Sequence, residues 1–277
     1  MIRLINRYPS RPLSIFLGLL PFLLLILLYA AASASRLADN PSDKLLPGLT
    51  KMVDAMVLMV TEPDRRSGEY LFWSDTLASL ARLAWGVGIS ALLGLSVGLL
   101  NGALPLVRAH LSPVVTAISL VPPMAILPVL FIIFGLGELS KVVLIVIGVA
   151  PFIIRDLQQR TLAIPAEQLI KAQTLGGNSW QIILRVLLPQ VMPRLLDAVR
   201  LSLGAAWLFL IAAEAIAATE GLGYRIFLVR RYMAMDIILP YVVWITLLAF
   251  FIDWILVRVS RAWFPWYHVT EQREASE

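Results

Sequence analysis

The sequence predicts an all-α membrane protein with about six transmembrane helices, and three observations support this fold class. Apolar residues make up 59% of the 277 residues and charged residues only 15%, whereas a soluble domain has about 45–50% apolar and about 25% charged residues. Apolar runs recur along the chain, and several approach the ~20 residues that a helix needs to cross the bilayer. The runs lack the alternating hydrophobicity of a membrane barrel, so the spans are predicted to be helices, which satisfy their own backbone in lipid.

The first predicted span is the uncharged stretch Leu13–Ser35, which follows Arg3, Arg7 and Arg11. A secretory signal peptide is the alternative, because Ala32-Ser33-Ala34 resembles a cleavage site. The apolar region of a signal peptide usually has about 7–15 residues. This stretch is longer, which favours a retained first span.

Five further spans are predicted from the remaining apolar runs. They are Leu83–Val107 with a start near Asp75, Leu111–Gly137, Val142–Ile154, Leu201–Thr219 and Ile237–Ile252. Lys and Arg side chains are more numerous on the side of the N-terminus, and the positive-inside rule therefore places both termini in the cytoplasm.

The predicted organisation has three parts. Residues 1–75 contain the first span and an extracytoplasmic segment, residues 76–266 form the membrane core, and residues 267–277 form a cytoplasmic tail. Within the core, residues 156–194 are too polar to span and are predicted to form a cytoplasmic loop.

Small residues recur at every fourth position of the second span: Gly86, Ser90, Gly94, Gly98 and Gly102. This spacing places them on one helical face, where they permit close approach of another backbone. We expect this face to pack against another span. The alternative is a glycine-rich helix without a special partner.

The sequence lacks the residues that several classes of function require. The chain has no cysteine and only two histidines, which leaves no thiolate site and little for histidine-based catalysis or metal binding. Gly94–Gly98 matches the Gly-x-Ser-x-Gly pattern of serine hydrolases, but it lies within a span rather than in a strand–turn–helix. No metal site and no catalytic residue are expected, and no basic run with interleaved aromatic residues indicates nucleic-acid binding.

The polar loop is predicted to contain two short helices. The first begins with Pro165 at its first helical position and ends at Gly176-Gly177. The second begins at Asn178, whose spacing to Gln181 is that of a capping box, and ends before Pro189. Such a surface can lie on lipid, plug the chain's own bundle or dock into the groove of a partner.

The loop resembles the EAA loop of binding-protein-dependent ABC importer permeases. The resemblance rests on Ala172, on Gly176 and on the run Val186–Pro189. In that family the loop forms a coupling helix that sits in a cleft of the ATP-binding subunit. Ile170-Lys171-Ala172 stands where the family has Glu-Ala-Ala, and Glu167, one turn away, is the candidate for the acidic contact.

Other segments resemble permeases of the nitrate/sulfonate/taurine/bicarbonate type, over roughly residues 76–266. They are Val121–Pro128, Phe134–Lys141, Leu201–Trp207, Ala212-Ala213-Glu214 and Gly221–Tyr224. The resemblance implies the type I ABC importer (MetI-like) permease fold. It does not explain the outer segment 36–75.

The resemblance implies a permease subunit of an ATP-driven importer in the bacterial inner membrane. Its cargo would be a small solute, such as the anions nitrate, sulfonate, taurine or bicarbonate. The implied partners are a second permease copy in a homodimer, two ATP-binding subunits, an extracytoplasmic solute-binding protein and membrane lipid. The chain itself is expected to be no enzyme and to bind no cofactor, because ATP and Mg²⁺ belong to the partner ATPase. A partner-independent secondary transporter or channel is the alternative.

The coupling residues implied by the resemblance are Glu167, Lys171, Ala172, Leu175, Gly176, Gly177, Trp180, Leu188 and Pro189. Gly176 would allow the sharp turn, and Leu175 and Trp180 would be apolar anchors. For Trp180, anchoring in the lipid interface is the alternative.

The predicted translocation path contains Glu214, Pro123 and Met124. Glu214 lies inside the fifth span, where a carboxylate is costly and often functional. The alternatives are structural pairing with Arg82 or Arg200, or a position near the outer interface. Asp253 is predicted to pair with Arg258 or to reach interface water.

Overall fold

The computed structural model describes residues 10–41, 43–64 and 68–274. Arg3 and Arg7, which precede the first predicted span, lie outside the described residues. The helices are α1 (Arg11–Asp39), α2 (Leu49–Thr61), α3 (Leu71–Ala103), α4 (Pro105–Ser119), α5 (Pro123–Phe134), α6 (Glu138–Leu162), α7 (Ala166–Thr174), α8 (Ser179–Ile182), a π-helical segment (Ile183–Leu187), α9 (Leu188–Ala217), α10 (Leu222–Arg230), α11 (Met235–Trp263) and α12 (Pro265–Glu274).

Four helical segments of the described chain are long and apolar enough to cross a membrane. They are Pro12–Asp39, Leu71–Ala103, Ser179–Ala217 and Met235–Trp263, and the bent pair α4–α5 makes a fifth if it is one span. Helix α6, which contains the predicted span Val142–Ile154, is outside this set. Its 25 residues are nevertheless long enough, since a helix rises about 1.5 Å per residue. The predicted count of six is reached only when α6 is included.

The predicted span Leu111–Gly137 is not one straight helix. Helix α4 ends at Ser119, α5 begins at Pro123, and the two are bent by 95°. Pro122 has an extended backbone (φ −68°, ψ 115°), because a residue that precedes proline is disfavoured in the helical region. The Pro122-Pro123 pair thus breaks the span.

The interface between α3 and α6 forms a buried core. Leu144, Ile145, Ile153 and Leu157 of α6 are buried. A Cβ added at Gly94 would lie 2.3 Å from Ile153 Cγ2. The predicted packing of the small-residue face of α3 against another helix is confirmed, and that helix is α6.

The chain divides into two compact units. One comprises residues 1–62 with 229–240, and the other comprises 63–228 with 241–277. In the first unit, the Tyr29 hydroxyl donates to the Pro47 carbonyl oxygen at 2.8 Å, and the Ser33 hydroxyl donates to the Leu46 carbonyl oxygen at 3.0 Å. These bonds fix the chain that leads from α1 into α2. Helix α2 lies in the segment 36–75, which the family resemblance does not explain.

Candidate functional site

A tight glycine turn joins α7 to α8 in the predicted coupling loop. Gly176 has a φ of 82°, a left-handed conformation that glycine adopts without strain. The Gly176 N–H donates to the Gln173 carbonyl oxygen at 2.9 Å, and the Gly177 N–H donates to the Ala172 carbonyl oxygen at 3.0 Å. This pair of bonds is a Schellman motif, which satisfies the last carbonyl groups of α7.

Asn178 caps the next helix as predicted. Its side chain accepts from the Gln181 N–H at 2.8 Å, and the Gln181 side chain accepts from the Asn178 N–H at 2.9 Å. The capping box is therefore confirmed. On the other side of the turn, Pro165 is the N-cap of α7 rather than its first helical residue.

The prediction that the second loop helix ends before Pro189 is wrong. Helix α8 continues through the π-helical segment Ile183–Leu187 into α9, so that Ser179–Ala217 is one helical segment. Proline has no N–H to donate and normally breaks a helix interior. The wider π turn, in which the Leu188 N–H bonds to the Ile183 carbonyl oxygen, interrupts the regular α-helical bonding immediately before Pro189.

The structure brings part of the predicted coupling set together. Leu175 is 80% exposed and Trp180 is 63% exposed. A depression of about 470 Å³ is lined by Ala172, Leu175, Gly176, Gly177, Gln181, Ile182, Arg185 and Val186. Glu167 and Lys171 are exposed on α7, whereas Leu188 is half-buried and Pro189 is exposed at the start of α9.

Sequence reasoning missed two polar contributors to this loop. Arg185 lines the depression, and the Gln190 side chain donates to the Gln168 side chain at 3.0 Å, which ties α7 to α9. The sequence indicates a role for Arg185 and Gln190 in this loop only if the helix is expected to continue past Pro189.

Glu214 lies in a charged cluster formed by Arg82, Glu138, Lys141, Glu214 and Glu220, here called the Arg82 cluster. Arg82 Nη1 donates to Glu214 at 2.8 Å, and Arg82 also donates to Glu138 and Glu220. Lys141 Nζ donates to Glu138 at 2.7 Å. Of the alternatives for Glu214, pairing with Arg82 is the one that the structure shows.

The turn before α10 completes the surroundings of Glu214. The Ser79 hydroxyl and the Gly223 N–H donate to the Glu214 carboxylate at 2.8 and 2.9 Å. Gly221 has a φ of 121°, and a Cβ there would lie 2.6 Å from the Glu214 carboxylate. The segment Gly221–Tyr224, singled out by its sequence, thus packs directly on this carboxylate.

The predicted pairing of Asp253 with Arg258 is wrong. Asp253 Oδ1 accepts from Arg200 Nε at 2.8 Å. The Arg258 guanidinium lies over the Trp254 ring, at 4.6 Å from its centroid. A positively charged group over a tryptophan face is a favourable cation–π contact.

Pro123 and Met124 lie at the start of α5. Pro123 lines a cavity of about 370 Å³, and Met124 is exposed. Glu214 is fully buried and is not among the residues that line this cavity. The three predicted path residues therefore do not form one site within a single copy of the chain. Within the described ranges, no group of three or more His, Cys, Asp or Glu side chains is arranged to hold a metal ion.

The long apolar helices and the exposed loop at α7–α8 define a polytopic α-helical membrane protein of the transporter class. Residues 86–264, more than half of the chain, match the family model of the binding-protein-dependent transport system inner membrane component. The chain belongs to this family and is the membrane permease component of an ABC importer.

Several relatives are permeases with assigned cargo. The chain is 33% identical over 195 residues to the taurine transport system permease protein of Escherichia coli (strain K12), covering 70% of this chain and 71% of that protein. It is 29% identical over 211 residues to the bicarbonate transport system permease protein of Synechococcus elongatus, covering 76% of this chain and 74% of the relative.

A solved structure shares the fold. The inward-facing MetNI methionine ABC transporter matches with a TM-score of 0.62 at 24% identity, covering 72% of this chain and 99% of the matched chain. This likeness confirms the MetI-like permease fold predicted from the sequence.

Proposed function

We propose that the chain imports a small anion, of the kind represented by nitrate, sulfonates, taurine or bicarbonate, and that its α7–α8 loop couples transport to ATP hydrolysis. The observation that carries the coupling role is the exposure of two large apolar side chains, Leu175 and Trp180, beside a hydrogen-bonded glycine turn. Large apolar anchors on a rigid turn are typical of a protein interface. The taurine and bicarbonate relatives support the cargo class.

The proposed complex contains a second copy of this chain, two ATP-binding subunits and an extracytoplasmic solute-binding protein. In this complex ATP and Mg²⁺ are bound by the ATP-binding subunits, which carry out the hydrolysis. The protein is a multi-pass component of the inner membrane, with both termini in the cytoplasm. That orientation puts the α7–α8 loop on the side where ATP is available.

The proposed mechanism uses the continuity of the loop with a membrane helix. When the ATP-binding subunits close on ATP, they displace the loop that is seated on them. Ser179–Ala217 is one helical segment, so a displacement of Trp180 is passed along α9 toward Glu214. At that end the Arg82 cluster links α9 to α3 and α6, which then move with it.

The loop anchors provide the first test. Leu175→Ala with Trp180→Ala should leave folding intact, because both side chains are exposed, and should weaken binding of the ATP-binding subunit about tenfold or more, as loss of an interface hot spot does. Full-length tagged protein is purified from its native membranes, and the co-purified ATPase activity is measured. Leu106→Ala is the matched control, because Leu106 is 87% exposed but lies outside the loop.

Two results would contradict these proposals. If the double variant retains a normal amount of ATPase, the coupling role of the loop is wrong. If the unaltered protein brings no ATPase with it, the proposed assembly itself is wrong.

A further inference from the structure

The bend between α4 and α5 forms one wall of a cavity, and α6 and α9 form the rest. Its volume is about 370 Å³, within the range of about 300–1,000 Å³ that small-molecule sites occupy. The residues of its lining that bear on ligand binding are Ser119, Gly148, Pro151, Arg155, Asp156 and Phe209.

Apolar side chains of α6 and α9 form part of the cavity wall, and the shape of the cavity depends on close packing between these two helices. A Cβ added at Gly148 would lie 2.2 Å from Cε2 of the Phe209 ring. Phe209 and Pro151 are buried, so these side chains form a fixed floor.

Arg155 supplies a positive charge to the cavity. Its Nη1 donates to the Ser119 hydroxyl at 3.1 Å, and Ser119 in turn donates to the Thr116 carbonyl oxygen at 2.8 Å. In the part of the chain that the structure describes, Arg155 forms no ion pair. The neighbouring carboxylate of Asp156 is engaged by Arg160 at 3.5 Å.

Three arginines of the second unit form close ion pairs instead. Arg82, Arg200 and Arg225 each lie within 3 Å of a carboxylate oxygen, with distances of 2.8, 2.8 and 2.7 Å. The guanidinium of Arg155 has a neutral hydroxyl as its partner instead. An anionic oxygen is a stronger acceptor for the guanidinium than a neutral hydroxyl, because Coulomb attraction between the two charges adds to the hydrogen bond.

We propose that this cavity binds the oxyanion group of the transported solute, with the planar Arg155 guanidinium as the main ligand and Ser119 as the hydroxyl that the anion displaces. The inference rests on the proposed function and narrows it to a site and a chemistry. A guanidinium fork matches the paired oxygens of a sulfonate, a nitrate or a bicarbonate. The cavity lies beside the break between α4 and α5.

The test uses the purified full-length protein in detergent and a panel of defined anions. Ethanesulfonate, nitrate and bicarbonate are each compared with chloride at equal ionic strength, and the thermal unfolding midpoint is recorded as a function of anion concentration. We expect at least one oxyanion to raise the midpoint of the unaltered protein. Arg155→Ala should weaken the apparent affinity about tenfold or more, as expected for loss of a charged hydrogen-bond donor, and Arg155→Lys should weaken it less.

Two control variants make the result specific. Arg258→Ala removes a guanidinium that lies over Trp254 outside the cavity, and it should leave the oxyanion response unchanged. Ser119→Ala should retain the response, because the hydroxyl only substitutes for the anion. The proposal is overturned if no oxyanion stabilises the unaltered protein more than chloride, or if Arg155→Ala responds like the unaltered protein. Both outcomes are independent of ATPase co-purification, so a failure of this site is distinguishable from a failure of the proposed function.

Discussion

At the scale of single residues, the cost of a carboxylate inside a membrane helix is offset by the groups around it. Glu214 is 0% exposed and its partner Arg82 is 3% exposed. The Glu214 oxygens accept from Ser79, from Arg82 and from the Gly223 N–H. A buried ion pair of this kind is tolerated when its remaining hydrogen bonds are also satisfied.

Removal of Arg82 should therefore be severe. Arg82→Ala leaves Glu214 buried without its cation, and breaking a buried pair in this way costs about 3–5 kcal/mol. We expect a marked drop in the thermal unfolding midpoint of the purified protein in detergent. Arg160→Ala is the control, because its pair with Asp156 is partly exposed and such pairs contribute about 0.3–0.5 kcal/mol. Equal midpoints for the two variants would show that the Arg82 cluster is dispensable for stability.

The sequence could narrow the partner of Glu214 but could not choose it. Arg82 and Arg200 were both plausible, since each borders an apolar run, and Arg82 lies 132 positions from Glu214. Asp253 failed for a related reason. Arg258 is near it along the chain, whereas Arg200, which forms the ion pair, is 53 positions away. Pairings between distant helices depend on how those helices pack, and local spacing does not encode this.

At the scale of elements, α3 and α6 approach each other closely because glycine residues of α3 have no side chain at the contact. A Cβ added at Gly98 would lie 2.8 Å from the carbonyl oxygen of Ile154. That atom belongs to the backbone of α6 and cannot rotate away. The two helices must then separate, and overpacking a core in this way lowers the free energy of unfolding by roughly 1–3 kcal/mol.

Gly98→Ala should accordingly lower the thermal unfolding midpoint. Gly88→Ala is the matched control, because a Cβ at Gly88 on the same helix meets nothing within 4 Å. Alanine is also the better helix former, by about 1 kcal/mol, so Gly88→Ala should leave the midpoint unchanged or raise it. A midpoint for Gly98→Ala at or above that of Gly88→Ala would contradict the tight α3–α6 packing.

The elements that the sequence predicted well are those with local signals. Gly176-Gly177 and the Asn178–Gln181 spacing specify the turn between α7 and α8, because caps and left-handed turns depend on adjacent residues. The π-helical segment Ile183–Leu187 and the 95° bend after Ser119 were missed. Proline marks both places, but whether a proline breaks, bends or is accommodated in a helix depends on the surrounding packing.

The turn itself provides a prediction for transport. Replacing Gly176 by valine forces a β-branched residue to a φ of 82°, a conformation that costs such residues about 1–3 kcal/mol. We expect solute uptake to be lost while the protein remains inserted in the membrane, because the turn lies outside the α3–α6 core. Gly204→Val is the control, since Gly204 lies within α9 and has open space around it. Normal uptake by Gly176→Val would refute the role of the turn in coupling.

At the scale of the whole molecule, the family match and the two units have different extents. The matched region begins at residue 86, so α1 and α2 precede it. The most apolar stretch of α1 has a mean hydropathy of 2.6, and none of its residues is buried. Its exposed surface is therefore suited to lipid. The sequence predicted this first span but not the helix α2 that follows it.

The orientation of the chain is the remaining prediction, and the absence of cysteine makes it directly measurable. With 0 cysteines in the sequence, a single introduced thiol is the sole site of maleimide labelling. Ser179 at the start of α8 and Thr61 at the end of α2 are both exposed, so substitution by cysteine disturbs little. If both termini are cytoplasmic, as the distribution of Lys and Arg predicts, Thr61→Cys should react with a membrane-impermeant maleimide in intact spheroplasts. Ser179→Cys should react only after the membrane is permeabilised, and labelling of Ser179→Cys from outside would reverse the proposed orientation and remove the loop from the reach of ATP-binding subunits.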